Sequence, residues 1–198
     1  MAPRTYRMTR RAAANEETRK RIVDAAIALH AEKGVLGTSW PDIAKRADVA
    51  LGTVYRHFPS LDQLVPACTS ENALRMRPPG PSILVGLARP EERIGQFVRE
   101  LFAFYGRIAP WTPRAAIDRH QLPVLDTILS RREAGLKALV DDTLGPLGRR
   151  RHALDAALAL TDFGVWRSLT QSGLSTEAAA RLITEVIVTW LNRRSAAR

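Results

Sequence analysis

Cysteine is almost absent from this chain of 198 residues, which contains only Cys68. A single cysteine cannot form an internal disulfide, so the chain is not a disulfide-stabilised secreted domain, and we expect it in a reducing cytoplasm. No apolar run approaches the roughly 18 residues of a membrane span. The first residues include arginines but no apolar segment behind them, so we expect neither a signal peptide nor a membrane partner.

The residue patterns of catalysis and metal binding are also missing. The sequence has no serine nucleophile elbow and no glycine-rich loop that would cradle a phosphate. Its four histidines are scattered, and His120 has no partner at the spacing of metal ligands. We therefore expect a protein that is not an enzyme and that binds no metal and no cofactor.

The chain is strongly basic, with a formal net charge of +10 and a sequence pI of about 10.9. Such a balance suits a polyanion, for example nucleic acid, as the partner. Residues 1–15 contain four arginines and no acidic residue. These arginines are either a solvated, flexible arm or an arm that enters the DNA minor groove, and the sequence favours neither.

Helical periodicity is present in every long segment, and no stretch alternates with period two for long enough to be a strand, which predicts an all-α protein. Asn15 is a good N-cap for a first helix, and Gly34 would end that helix. Two short helices follow within residues 38–58. The further helices are predicted at 61–75, 90–108, 113–121, 123–144, 151–172 and 176–194, which gives about nine helices in all.

Residues 38–58, TSWPDIAKRADVALGTVYRHF, predict two short helices joined by a tight turn. Ser39 followed three residues later by Asp42 is a capping-box pattern. Asp48 suits the turn because Asp tolerates a left-handed backbone conformation. The second helix then offers four side chains with hydrogen-bond donors: Thr53, Tyr55, Arg56 and His57. This is the pattern of a helix-turn-helix, whose second helix enters the DNA major groove.

The chain resembles the TetR family of bacterial transcriptional regulators from Thr18 to Leu64. The resemblance is carried by TRKRIVDAAIALHAEKG, TSWPDIAKRADV and GTVYRHF, in register, with LDQL after them. It implies an N-terminal three-helix helix-turn-helix domain and a C-terminal helical domain for ligand binding and dimerisation. The RPPGP segment at 77–81 marks the border. The predicted divisions are a basic flexible arm at 1–14, the DNA-binding domain at 15–60, a connecting helix at 61–77 and the helical body at 82–198.

In the family, the positions that match Tyr55 and His57 contact DNA phosphates, and a phenol or an imidazole N–H donates to phosphate without reading sequence. Gly52 costs roughly 1 kcal/mol of helix stability relative to Ala, which close approach of the backbone to DNA would explain. Arg56 lies where sequence is read and can fork onto a guanine. The predicted DNA-binding residues are Thr38, Ser39, Lys45, Arg46, Ala50, Leu51, Gly52, Thr53, Tyr55, Arg56 and His57.

The motif departs from the family pattern at four positions. Asp48 replaces a frequent glycine, and Ala50 replaces a frequent serine or threonine, which weakens the N-cap of the second helix. Leu51 and Leu61 each replace a frequent basic residue. These two changes remove charges that would otherwise be available to DNA.

The resemblance further implies a homodimer that binds a near-palindromic DNA operator and a small, largely apolar effector. From the residues alone, the apolar rows of the last two helices suit an intramolecular core as well as a dimer interface. The predicted interface residues are Leu154, Leu158, Val165, Leu169, Leu182, Ile183, Val186, Ile187, Trp190 and Leu191. The predicted pocket residues are Phe97, Leu101, Phe104, Tyr105, Trp111, His120, Leu125, Ile128, Phe163 and Trp166.

Three functions therefore stay open. The protein is a repressor that a ligand releases from DNA, a ligand-independent DNA binder or activator with a filled body, or a nonspecific polyanion binder. The sequence identifies neither the effector nor the operator.

Overall fold

The computed structural model describes residues 4–196, with side chains described from residue 10 to residue 193. Within that range the chain forms ten α-helices and no strand, which confirms the all-α prediction. The helices are α1 Arg4–Lys33, α2 Trp40–Ala47, α3 Leu51–His57, α4 Leu61–Met76, α5 Pro90–Ile108, α6 Thr112–Asp118, α7 Pro123–Leu144, α8 Ala153–Leu160, α9 Phe163–Gln171 and α10 Thr176–Ala196. Short 3-10 helices span Pro81–Leu84 and Gly145–Arg149. None of the described helices is long and apolar enough to cross a membrane.

The first helix is longer than the sequence predicted. It begins at Arg4 instead of after Asn15, so residues 4–14 are helical and are not a flexible arm. Neither proline nor glycine interrupts this segment, and its alanines and arginines favour helix. In this helical conformation, about 10 Å across, residues 4–14 would not fit a minor groove about 6 Å wide. Residues 1–3 of the predicted arm lie outside the described residues.

The chain folds into two compact units that differ from the predicted division. Unit 1 comprises the chain up to Arg75 together with Pro110–Leu129, and unit 2 comprises Met76–Ala109 and the chain from Ser130 onward. The sequence had placed residues 110–129 in the body. They join unit 1 because the indole Nε1 of Trp111 donates to the Ile27 carbonyl at 3.0 Å, and because the backbone N–H of Val35 donates to Asp118 at 2.6 Å.

Unit 1 is built on the buried face of α1. Four apolar residues at helical spacing on α1 are all buried: Ile22, Ala25, Ala26 and Leu29. They pack with Ile43 of α2 and Val54 of α3, and Phe58 is also buried. Val49 is partly buried and packs against the same cluster. This packing fixes α2 and α3 on α1, and it leaves the outer side of α3 open.

Unit 2 is centred on α5 and α10. The apolar face of α5 is buried over its whole length, with six residues: Ile94, Phe97, Val98, Leu101, Phe102 and Tyr105. A single helix was predicted over 151–172, but the chain breaks there into α8 and α9. Asp162 causes the break by capping α9, because its side chain accepts a hydrogen bond from the Gly164 N–H at 2.7 Å. This break gives ten helices where nine were predicted.

Candidate nucleic-acid interface

The start of α2 is fixed by the capping box that the sequence predicted. The Asp42 N–H donates to Ser39 Oγ at 3.2 Å, and the Ser39 N–H donates to the Asp42 carboxylate at 3.4 Å. Lys33 also reaches this carboxylate, with Nζ at 2.5 Å from Oδ2. Hydrogen bonds from Lys33 and then Ser39 lower the pKa of Asp42 to about 2, so the box is ionised and closed at neutral pH.

The turn between α2 and α3 depends on a left-handed residue and on an arginine that the sequence analysis missed. Asp48 has φ 52° and ψ 57°, which confirms the predicted turn conformation. Arg21 of α1 donates from Nη2 to the Ala47 carbonyl at 2.7 Å and to the Asp48 carbonyl at 2.5 Å. The guanidinium thereby satisfies carbonyls that the end of α2 leaves free. No local pattern indicates this contact, because the partners lie 26 and 27 residues apart.

The helix α3 turns most of its side chains outward. Val54 is fully buried, Thr53 and His57 are partly buried, and four residues are exposed: Leu51, Gly52, Tyr55 and Arg56. Ala50 precedes the helix without making a side-chain cap, as its residue type predicted. A Cβ placed on Gly52 would meet no described atom within 4 Å, so packing inside the protein does not require glycine there.

Tyr55 is held by an aromatic neighbour that the sequence analysis did not select. The ring of Trp40, the first residue of α2, lies 5.3 Å from the Tyr55 ring, centroid to centroid, with the planes inclined by 39°. Tyr55 keeps 44% of its surface exposed. Such a pair fixes the direction of the phenol while leaving it accessible to a partner.

The imidazole of His57 is less available than the sequence suggested. Burial, followed by the nearby charges of Arg56 and Arg19, lowers its pKa, so the side chain is neutral at pH 7. Its Nε2 atom is buried without a hydrogen-bond partner among the described residues. Thr38 is also engaged, since its hydroxyl donates to the Gly34 carbonyl at 2.7 Å.

The three predicted basic contacts differ in their freedom. Lys45 and Arg56 are exposed, and neither forms an ion pair with another described residue. Arg46 instead forks onto Glu32, with Nη1–Oε1 at 2.5 Å and Nη2–Oε2 at 3.0 Å. A contact from Arg46 to phosphate would first have to break this bidentate pair.

The predicted interface rows on α10 separate into a buried row and an exposed row. Ile183, Ile187 and Leu191 are buried in the core of unit 2, which leaves them little surface for a partner subunit. The reason is that α10 packs on α5, and these residues belong to the apolar cluster that the two helices share. Leu182 and Val186 remain 41% and 40% exposed. The other predicted interface residues are partly buried: Leu154, Leu158, Val165, Leu169 and Trp190.

The predicted pocket residues do not form one cluster, because they are divided between the two units. Trp111, Leu125 and Ile128 belong to the apolar clusters of unit 1, and His120 of the same unit is exposed. The other residues belong to the apolar cluster of unit 2: Phe97, Leu101, Phe104, Tyr105, Phe163 and Trp166. The Tyr105 ring lies 5.4 Å from Phe163 and 6.1 Å from Trp166, and its hydroxyl donates to the Thr161 carbonyl at 3.0 Å.

The described residues contain neither a cluster of metal ligands nor a reactive thiol. No group of three or more His, Cys, Asp or Glu side chains is placed among them to hold a metal ion. Cys68 is buried in α4, and burial raises the pKa of its thiol to about 12. A thiol with so high a pKa is a poor nucleophile and packs as a small apolar side chain.

Comparisons with known proteins extend beyond the helix-turn-helix. Residues 22–68 match the family described as bacterial regulatory proteins, tetR family. The HTH-type transcriptional repressor KstR of Rhodococcus jostii (strain RHA1) is 30% identical over 193 residues, which cover 93% of this chain and 77% of KstR. The HTH-type transcriptional regulator BetI of Rhizobium meliloti (strain 1021) is 27% identical over 85% of this chain and 87% of its own length.

Two solved structures share the fold over most of the chain. A TetR-like transcriptional regulator from Rhodococcus sp. RHA1 superposes with a TM-score of 0.65 at 21% identity, over 88% of this chain and 96% of that one. The multidrug binding protein EbrR, complexed with malachite green, superposes with a TM-score of 0.61 at 26% identity, over 87% and 96%. With the similarity to KstR running through both units, this chain belongs to the TetR family of bacterial transcriptional regulators.

Proposed function

We propose that the protein is a homodimeric repressor that binds a near-palindromic operator and is released from it by a small, largely apolar ligand. The observation that carries the proposal is the exposure of α3, which buries Val54 alone and leaves four of its seven residues exposed. A helix fixed from one side by α1 and α2 and open on the other has the form that a major groove admits.

The contacts to DNA divide by chemistry. Tyr55 presents an exposed phenol that would donate to a phosphate oxygen, and His57, whose Nε2 is buried, would donate through Nδ1. Ser39 and Thr38 place the start of α2 where its N–H groups suit a phosphate. Lys45, which has no partner among the described residues, would add a phosphate contact that depends on salt. Arg56 would read a base or a phosphate from the other end of α3.

The dimer is supported by the exposed row on α10. Leu182 and Val186 are spaced by four residues and therefore share a helix face, on which both keep about two fifths of their surface exposed. Partly buried apolar residues of α8 and α9 surround the core of unit 2: Leu154, Leu158, Val165 and Leu169. Two such faces would associate as a four-helix bundle about a two-fold axis, which presents two copies of α3 to two half-sites.

The ligand is supported by the aromatic residues of unit 2 and by a relative. Tyr105, Phe163 and Trp166 gather large apolar rings in one place, as the sites of apolar ligands do. EbrR, which shares the fold at 26% identity, is a multidrug binding protein with solved complexes that contain imidazole and malachite green. A ligand that favours another arrangement of unit 2 by roughly 1–3 kcal/mol would change operator occupancy about 5- to 150-fold.

A second candidate function is a ligand-independent DNA binder with a filled body. It is favoured by the direct packing of the same rings, since Phe163 and Trp166 lie 5.3 Å apart and the Tyr105 hydroxyl already has a hydrogen-bond partner. Titration with an apolar fluorescent dye separates the two functions. Saturable uptake of about one dye per protomer, together with release from DNA, supports the ligand-responsive repressor, whereas no uptake supports the filled body.

The operator itself is tested by selecting duplexes from a random pool with the full-length protein. We expect enrichment of two inverted half-sites whose centres lie about one helical turn or a multiple of it apart. Two protomers, or a multiple of two, should be bound for each selected duplex. A pool that gains affinity for the protein without gaining a shared sequence would contradict the operator proposal.

A further inference from the structure

A large apolar side chain opens the helix that faces DNA in the proposed function. Leu51 is the first residue of α3, and 40% of its surface is exposed. Tyr55 follows four residues later and therefore lies on the same face, with its ring against Trp40. A chain with a net charge of +10 thus presents an apolar ridge, formed by Leu51, Tyr55 and Trp40, on the side that reads DNA in the proposed function, where basic residues would be expected.

Exposure of a single leucine is ordinary in soluble proteins, so the position of Leu51 carries the argument. In a helix-turn-helix, the N-terminal residues of the second helix contact the base edges. Val54 shows that the helix has a buried side available for apolar residues, since Val54 is fully buried. Leu51 stays outside that core, in the place from which the bases are read.

The chemistry around Leu51 is almost free of hydrogen-bonding groups. Ala50 and Gly52, its two neighbours, are exposed and have no polar side-chain atom, and no described atom lies within 4 Å of a Cβ placed on Gly52. Thr53 is partly buried and supplies the nearest side-chain hydroxyl along the helix. The N-terminal end of α3 therefore has an apolar surface and lets DNA come close to its backbone. It has no side chain with two donors that could bind a guanine.

Thymine is the base that matches such a surface. Its 5-methyl group is the apolar feature of the major groove, and apolar side chains recognise it by contact. We propose that Leu51 is a specificity-determining residue that reads the 5-methyl group of a thymine in each half-site. This inference rests on the proposed operator binding, and it assigns the N-terminal end of α3 to methyl recognition and the Arg56 end to polar contacts.

Deoxyuridine isolates the methyl group, because it differs from thymidine at that group alone and keeps every hydrogen-bonding atom. Each thymine of a duplex selected from the random pool is replaced in turn, and affinity is measured by fluorescence anisotropy. We expect one or two positions per half-site at which the loss of the methyl weakens binding about fourfold, the effect of removing one buried methyl-sized group. Replacement in both half-sites should weaken binding about fifteenfold.

The Leu51→Ala variant tests which residue makes the contact. At the sensitive positions, thymine and deoxyuridine duplexes should bind this variant within about twofold of each other, since the contact is already lost. Leu74→Ala is the matched control, because Leu74 is exposed on α4 in the same unit; it should keep the full fourfold discrimination. Circular dichroism of both variants verifies that the helices are intact.

Three results would overturn the inference, and they are distinguishable. Sequence-specific binding with no sensitive thymine would show that no methyl is read. Methyl sensitivity that persists in Leu51→Ala and disappears in Thr53→Ser would assign the contact to the methyl of Thr53. Equal binding to all duplexes, with no selected sequence, would overturn the operator proposal and this inference together.

Discussion

The two units of this protein place their aromatic residues in opposite ways. In unit 1, Tyr55 lies on the surface with 44% of its area exposed, and its ring packs against the ring of Trp40. In unit 2, Tyr105 and Trp166 are buried within a group of rings, and the Tyr105 hydroxyl is bound by the Thr161 carbonyl. An exposed phenol whose ring is held by a neighbour can bind a partner. A buried phenol whose hydroxyl is already hydrogen-bonded stabilises the fold.

The difference also concerns the range of the interactions that build each region. The α2–α3 motif is defined by neighbours in sequence, namely the Ser39–Asp42 capping box and the left-handed Asp48. The body depends on contacts between distant segments, such as the packing of α10 on α5. A local motif can be recognised from sequence, and a distant packing arrangement cannot.

The largest expected effect contrasts one aromatic residue from each unit. Trp166→Ala should destabilise unit 2 by about 3–5 kcal/mol, because it leaves a cavity among packed rings. Tyr55→Ala should cost less than about 1 kcal/mol of stability, since the ring is half exposed, while it should strongly weaken DNA binding. Urea unfolding followed by circular dichroism measures both changes. Similar losses of stability in the two variants would contradict the contrast between the units.

The second expected effect concerns the exposed row of α10. The double substitution Leu182→Glu with Val186→Glu should weaken the dimer about 100-fold or more, because it would bury unpaired charges in an apolar interface. Val85→Glu is the matched control, since Val85 is 81% exposed in the same unit and belongs to no proposed interface. Sedimentation velocity over a range of protein concentrations measures dissociation. A dimer of unchanged affinity in the double variant would remove α10 from the interface.

The third expected effect is a loss of the stability of unit 1 as the pH falls. Burial lowers the pKa of His30 from 6.5 to about 4, against the opposing charge of Asp118. The unfolded chain therefore binds the proton first as pH falls, and this group should withdraw about 2 kcal/mol of stability between pH 7 and pH 5. The loss begins near pH 6.5 and ends near pH 4.

The variant His30→Leu removes this titration while it keeps a buried side chain of similar size. Hydrogen exchange of α1 peptides at pH 7 and pH 5 reports on unit 1 directly. We expect the wild-type protein to lose protection in α1 at pH 5 and the variant to lose distinctly less. Equal losses in both proteins would show that His30 is not the group responsible.

The smallest expected effect separates stability from DNA binding at one residue. Gly52→Ala should stabilise the free protein by about 0.4–1 kcal/mol, because the helix gains an alanine and no described atom would clash with its Cβ. The same methyl should weaken operator binding if the backbone of α3 approaches the bases. Paired measurements of unfolding and of operator affinity are needed. A stabilised variant with unchanged affinity would show that the glycine has no role at the DNA.

The DNA-binding motif was predictable because its determinants are local. The capping box, the left-handed Asp48 and the uncapped Ala50 were all expected from residue type and spacing, and the structure confirms them. Arg21 and Trp40 were missed because their roles come from contacts across helices. An arginine on a predicted helix face carries no sign of the carbonyls it will bind.

The errors elsewhere have the same origin. Asn15 resembles an N-cap, but the residues before it favour helix and nothing interrupts them, so α1 continues back to Arg4. Two adjacent apolar rows on α10 resemble one broad interface, and only the packing on α5 shows that the row of Ile183 is internal. Trp111 resembles a pocket aromatic, yet it belongs to unit 1, where its indole donates to the Ile27 carbonyl of α1.

We propose above all that the protein is a dimer and that the α3 helix of each protomer reads one half-site of a specific operator. It is tested most directly by fluorescence anisotropy with the DNA upstream of the protein's own gene and with a shuffled duplex, at about 150 mM salt, where nonspecific phosphate contacts are weakened. The account predicts at least about hundredfold preference for the upstream DNA, with two protomers or a multiple of two per site. Equal affinity for this duplex, the shuffled duplex and a duplex selected from the random pool would contradict it.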